Sequence, residues 1–140
     1  MVEKPAVAPD CKKFEPMNNA ARIIVVDDNN DHLHIIRLIL EKFGYEVKTL
    51  QRSENVLDTV KAFQPGLIFM DHNVPMFDGI MATKLLKSDA GCKHIPVVYF
   101  TSENNIEELA IEAGADDWLR KPFSLEDLIG KITKLLPAGS

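Results

Sequence analysis

The 140-residue chain has few cysteines, no surplus of basic charge and no long apolar run. Its two cysteines, Cys11 and Cys92, stand far apart and outside any C-x-x-C spacing. Neither a disulfide framework nor a zinc site is expected, and two reduced thiols fit a cytoplasmic protein. With 16 Lys and Arg against 21 Asp and Glu, the net charge is −5. A domain without a basic face makes a poor direct partner for nucleic-acid phosphates. No apolar stretch nears the roughly 18–20 residues that cross a bilayer, so no membrane partner is expected. The longest, Ile95 to Phe100, has the length of a buried strand. No apolar h-region follows Met1, so no signal peptide is expected. A phosphate loop is missing too, because Gly130-Lys131 lacks the upstream glycine and the following hydroxyl residue. His32, His34, His72 and His94 show no metal-ligand spacing. What remains, at 46% apolar and 26% charged residues, is one globular domain with a sizeable core.

Within that domain, short β-branched runs alternate with longer helical patterns. The runs are Ile23 to Val26, Tyr45 to Leu50, Leu67 to Met70, Ile95 to Phe100 and a weaker Asp117 to Leu119. Between them, Ile36, Ile39, Leu40 and Phe43 recur at helical spacing, closed by Gly44. Ser53 is the expected N-cap of a helix carrying Val56, Val60 and Phe63. A third helix covers Ile80 to Lys87, and a fourth carries Ile106, Leu109, Ala110 and Ala113. The last stripe runs from Leu125 to Leu136, capped by Ser124 with Asp127 three residues on. Residues 1–20, with Pro5, Pro9 and Pro16, read as a flexible N-terminal tail, leaving 21–138 as the folded unit. Five strand-helix units predict an α/β fold, a doubly wound five-stranded parallel sheet with helices on both faces.

In such sheets ligands gather beyond the carboxyl ends of the strands. Those positions hold Asp27 and Asp28, Asp71, Thr101 and Lys121. Close carboxylates repel by about 4 kcal/mol per pair at an effective dielectric near 20, so three together call for a cation. Mg²⁺, a hard ion that takes one or two carboxylates and shares a phosphate oxygen, suits them. With an ammonium and a hydroxyl nearby, the set fits phosphoryl transfer onto a carboxylate as an acyl phosphate.

The strings Val-Val-Asp27-Asp28-Asn-Asn, Phe-Met-Asp71-His-Asn-Val-Pro75-Met-Phe-Asp78-Gly79, Val-Tyr-Phe-Thr101-Ser102 and Trp118-Leu-Arg-Lys121-Pro122-Phe123 resemble response-regulator receiver domains of two-component signalling. The resemblance covers roughly residues 22–136 and implies the flavodoxin-like, CheY-like strand order 2-1-3-4-5. It also implies roles. Asp71 would accept a phosphoryl group from a phosphohistidine of a sensor histidine kinase or histidine phosphotransfer protein. Asp27, Asp28, Asp71 and the carbonyl of Asn73 would hold Mg²⁺. Thr101 and Lys121 would bind phosphoryl oxygens, and Thr101 with Trp118 would form the switch. Asn73 and Glu103 stand at positions that tune self-dephosphorylation, and their pairing resembles short-lived chemotaxis receivers. Lys121-Pro122 matches a bond that is commonly cis in the family. His72, Val74 and Trp118 depart from the commonest residues, and a buried indole needs a larger cavity.

The implied function is therefore a switch that catalyses only its own phosphorylation and dephosphorylation. Its output partner would meet a face made by the fourth helix, fifth strand and fifth helix, where Asn104, Asn105, Glu108, Asp116 and Lys131 lie. A haloacid-dehalogenase-type phosphatase would need a D-x-D pattern, and Asn29 breaks it. An FMN-binding flavodoxin would meet repulsion from Asp27 and Asp28. A receiver that only docks, without phosphorylation, is the remaining alternative. Met76, Phe77 and Met81 are read as core and loop packing.

Overall fold

The computed structural model describes residues 22–74, 76 and 78–136. The expected tail at 1–20, Cys11, Pro75 and Phe77 lie outside the described residues. The elements in chain order are β1 (Arg22–Val26), α1 (Asn30–Lys42), β2 (Glu46–Leu50), α2 (Val56–Phe63) and β3 (Leu67–Asp71). They continue as α3 (Gly79–Ser88), β4 (Val97–Thr101), α4 (Ile106–Ala113), β5 (Asp117–Arg120) and α5 (Leu125–Leu135). The five strands are parallel and ordered β2-β1-β3-β4-β5, so the expected doubly wound topology is present.

Burial explains why the inner strands read as unbroken apolar runs. β3 and β4 are buried at every residue, and β1 is buried from Ile23 to Val26. Alternate residues feed two cores. Ile23, Val25, Phe69, Val98 and Phe100 meet Leu33, Ile36 and Leu40 of α1 and Leu128 and Ile132 of α5. Ile24, Val26, Ile68, Met70, Val97 and Tyr99 meet α2, α3 and α4 through Val56, Val60, Ala82, Leu86, Ile106 and Ala110.

Helix starts follow local chemistry. The side chains of Asn29, Asp78 and Ser124 accept from the N–H groups of His32, Met81 and Asp127 and so cap α1, α3 and α5. The N-cap position of α2 falls at Asn55 rather than at the expected Ser53. Position Asn55 precedes α2 without a side-chain cap bond, while buried Ser53 offers its carbonyl to Val56 N–H. The fourth strand starts at Val97 rather than Ile95, because the Ile95 N–H closes a turn on Cys92 and Pro96 has no N–H to give the ladder. β2 starts one residue late because the Tyr45 N–H closes α1 onto Leu40.

Three expected buried side chains face solvent. Phe43 is the C-cap of α1 and is 52% exposed, its place on the buried stripe taken by Leu33. Met76 and Met81 are exposed as well, not packed as expected. Met76 sits in a turn at φ 81°, and Met81 points away from the α3 face that buries Ala82 and Leu86.

Candidate functional site

Pairing register brings the strand ends together. Val26 pairs with Met70, so Asp27 and Asp71 follow side by side at the switch point where the strand order reverses. Thr101 ends β4 beside β3, and Lys121 follows β5. Asp27, Asp28, Asn73, Asp71, Thr101 and Lys121 line one cleft of about 630 Å³. One oxygen each from Asp27, Asp28 and Asp71 lies within 4.8 Å of the others, with Asp27 and Asp71 buried and Asp28 exposed.

Among the described residues, Lys121 is the lysine that meets this charge. Lys121 Nζ donates to Asp27 Oδ2 at 2.7 Å, lies 3.6 Å from Asp71 Oδ1 and rests over the Phe100 ring at 4.5 Å. Burial pushes the Asp71 carboxyl up to about 7; Lys121 opposes the rise, while Asp27 and Asp28 add to it. The cluster is thus short of positive charge. The three clustered carboxylates offer oxygen donors, which suit a hard divalent ion.

The remaining candidates spread around this centre. Thr101 is buried, and its Oγ1 accepts from Glu103 N–H at 3.5 Å. Asn73 and Glu103 are exposed, but Glu103 does not line the cleft. Trp118 is half-buried against the core of α3 and α4, away from the cleft lining. The Lys121-Pro122 peptide is cis. On the expected output face, Asp116 instead accepts from Lys87 Nζ at 2.6 Å and Val97 N–H at 2.8 Å. Lys131 donates to Asp117 at 2.9 Å, and Arg120 donates to Asn104. These groups are engaged within the chain.

Two features escape a reading of strand ends. His32, in the first turn of α1, lines the cleft with Nδ1 3.6 Å from Asp27 Oδ2. The only signal for it is its place one helical turn after Asp28. The cleft also continues into an apolar trough between α1 and α5, lined by Ile35, Ile36, Ile39, Phe123, Leu125 and Leu128. Ile35 and Leu125 are each at least half exposed there.

Known proteins share this arrangement. The family described as the response regulator receiver domain matches residues 23–133. The response regulator MprA of Mycolicibacterium vanbaalenii is 32% identical over 117 residues, covering 82% of this chain and 50% of the relative. The chain thus spans about half the length of the curated relatives it matches. The solved chemotaxis response regulator CheY4 of Vibrio cholerae superposes with TM-score 0.76 at 26% identity, over 82% of this chain and 98% of the other. The receiver domain of the sensor histidine kinase PA1611 from Pseudomonas aeruginosa shares the fold at TM-score 0.77 and 24% identity, over 82% and 96% of the two chains. That structure is described with a magnesium ion in its active-site cleft.

Proposed function

The chain belongs to the response regulator receiver domain family, and from that premise we propose that residues 21–138 form a phosphorylation switch with Asp71 as acceptor. A carboxylate oxygen of Asp71 attacks the phosphorus of a phosphohistidine presented by a sensor histidine kinase or phosphotransfer protein. The P–N bond breaks as the P–O bond forms, and the departing imidazole takes up a proton. Asp27, Asp28, Asp71 and the Asn73 carbonyl are the residues to hold Mg²⁺, the ion described in the PA1611 cleft. Bound there, the ion offsets the charge of the carboxylates and of the incoming phosphoryl oxygens.

The chain's own groups do the rest. Lys121 Nζ, already 3.6 Å from Asp71, neutralises a second phosphoryl oxygen. Thr101 turns its hydroxyl toward a third and draws the end of β4 with it, and Trp118 on the neighbouring strand repacks. Loss of the group is hydrolysis: water attacks phosphorus and the carboxylate leaves, with Asn73 and Glu103 flanking its approach. Apart from these steps on itself, the domain turns over no substrate. It acts in the cytoplasm through whatever reads the α4-β5-α5 face. No described helix is long and apolar enough to cross a membrane.

The observation that carries this reading is the convergence of three carboxylates, one ammonium and one hydroxyl on one cleft. A phosphatase of the D-x-D type is disfavoured because Asn29 is spent as the cap of α1, its own N–H held by Asp27 Oδ1 at 2.9 Å. The test is labelling with acetyl phosphate and Mg²⁺. One hydroxylamine-labile phosphoryl group per chain, absent from Asp71→Asn and absent with a chelator, is expected. Label that persists in Asp71→Asn would overturn the assignment.

A further inference from the structure

A second polar contact is built beneath the acceptor. Tyr99 of β4 is fully buried, and its hydroxyl lies 2.5 Å from Nδ1 of half-buried His72. Neither residue lines the cleft. A phenol sunk into an apolar cluster needs a hydrogen-bond partner, and His72 supplies it. Burial first, then the nearby carboxylates Asp78, Asp71 and Glu112, push the Tyr99 hydroxyl up. The phenol therefore keeps its proton, and its hydroxyl shares one hydrogen bond with Nδ1.

His72 is consequently held at two points. Its ring is tied to Tyr99, and its carbonyl accepts from Gly79 N–H at 2.9 Å. The start of α3 is seated directly on this junction. A Cβ at Gly79 would lie 2.3 Å from the Asp71 carbonyl oxygen, 2.8 Å from the Tyr99 hydroxyl and 2.9 Å from His72 Cα. His72 also stands between Asp71, which offers the carboxylate, and Asn73, which offers the carbonyl. A side-chain tether at this one residue fixes the plane of both flanking peptides.

We propose that the Tyr99–His72 hydrogen bond positions the phosphoryl acceptor: it anchors the Asp71–Asn73 backbone to β4, so that carboxylate and carbonyl face one point of the cleft. His72 and Tyr99 are positioning residues here, acting through Asp71 and Asn73. The proposal rests on the reading of Asp71 as acceptor. Small misplacements of reacting groups cost large factors in rate, whereas a bond that merely satisfies a buried phenol would change stability alone.

Initial rates of labelling by radiolabelled acetyl phosphate, measured across Mg²⁺ concentrations on the full chain, separate the two. Tyr99→Phe and His72→Leu are expected to label about fivefold more slowly, the ratio of one net hydrogen bond, and to need more Mg²⁺ for half-maximal rate. The double variant should be no slower than the slower single one. His72→Asn, whose side-chain oxygen falls near the place of Nδ1, should recover most of the rate. Val60→Ala, a core truncation in α2, should lose stability and keep both the rate and the Mg²⁺ dependence. Wild-type rate and Mg²⁺ dependence in Tyr99→Phe would overturn the proposal, as would equal slowing in Val60→Ala. A wild type that takes no label overturns the acceptor reading and this proposal with it; a labelled wild type with unaffected variants overturns this proposal alone.

Discussion

The two ends of the sheet treat charge in opposite ways. At the amino ends of the strands, carboxylates are matched by cations or backbone donors. Glu46 meets Arg22, Asp89 meets Lys61, and Asp116 takes Lys87 and the Val97 N–H. Asp117 takes both Lys131 and Lys134. At the carboxyl ends, Asp27 and Asp71 share Lys121, and exposed Asp28 adds a third carboxylate to the cluster. The same sheet thus carries a closed set of charges at one end and an open set at the other. The acids at the amino end come with their counter-charges built in, whereas the clustered acids at the carboxyl end are left short of positive charge.

The largest expected effect tests that openness. In metal-free buffer at pH 8, Asp71→Asn should stabilise the fold by on the order of 4 kcal/mol, since the folded carboxyl titrates near 7 against an ordinary 3.8. The raised folded value means that wild-type stability falls as pH rises from about 4 to about 7. Urea titrations should therefore show the gain shrink through that window and vanish below it. Equal stability of the two proteins at pH 8 would say that the carboxyl end is not short of positive charge.

Next comes the seat of α3. Gly79→Ala forces backbone atoms of Asp71 and His72 apart and should cost about 3 kcal/mol, read as a lower urea midpoint. An unchanged midpoint would show that this end is looser than its contacts imply.

The amino end should behave in the opposite sense. Burial alone would raise the Asp117 carboxyl, but hydrogen bonds from Lys131, the Trp118 N–H and Lys134 outweigh it and hold it below its ordinary value. Its contribution is then present above the ordinary carboxylate range and lost as pH falls through the depressed one. Asp117→Asn should cost about 1 kcal/mol at pH 7, most of it gone in acid, with labelling at Asp71 unchanged. The smallest effect is at Gln64, which ends α2 at φ 55°. Gln64→Gly should gain about 0.5 kcal/mol, against the loss of its own bond to the Lys61 carbonyl, and should leave labelling alone.

The contrast also explains what could be read from the chain alone. β3 and β4 are covered on both faces, so their residues announce themselves as strands wherever they sit in the sheet. Asp27, Asp71, Thr101 and Lys121 were legible because a parallel sheet sends every strand end to one edge. Helix orientation was harder. α1 carries apolar residues on most of its sides, with Ile35 and Leu38 each 54% exposed, so spacing alone does not say that Leu33 turns inward and Phe43 outward. Pairings across the fold left no linear trace either. Asp116 with Lys87, and His72 with Tyr99, are 29 and 27 residues apart and meet only once α3 and β4 are in place.

Calorimetric titration of Mg²⁺ into the metal-free chain measures whether the three carboxylates share one cation site. Wild type should bind one ion, and both Asp28→Asn and Asp71→Asn should weaken that binding at least about tenfold. Binding that is unchanged in both variants would contradict a shared site.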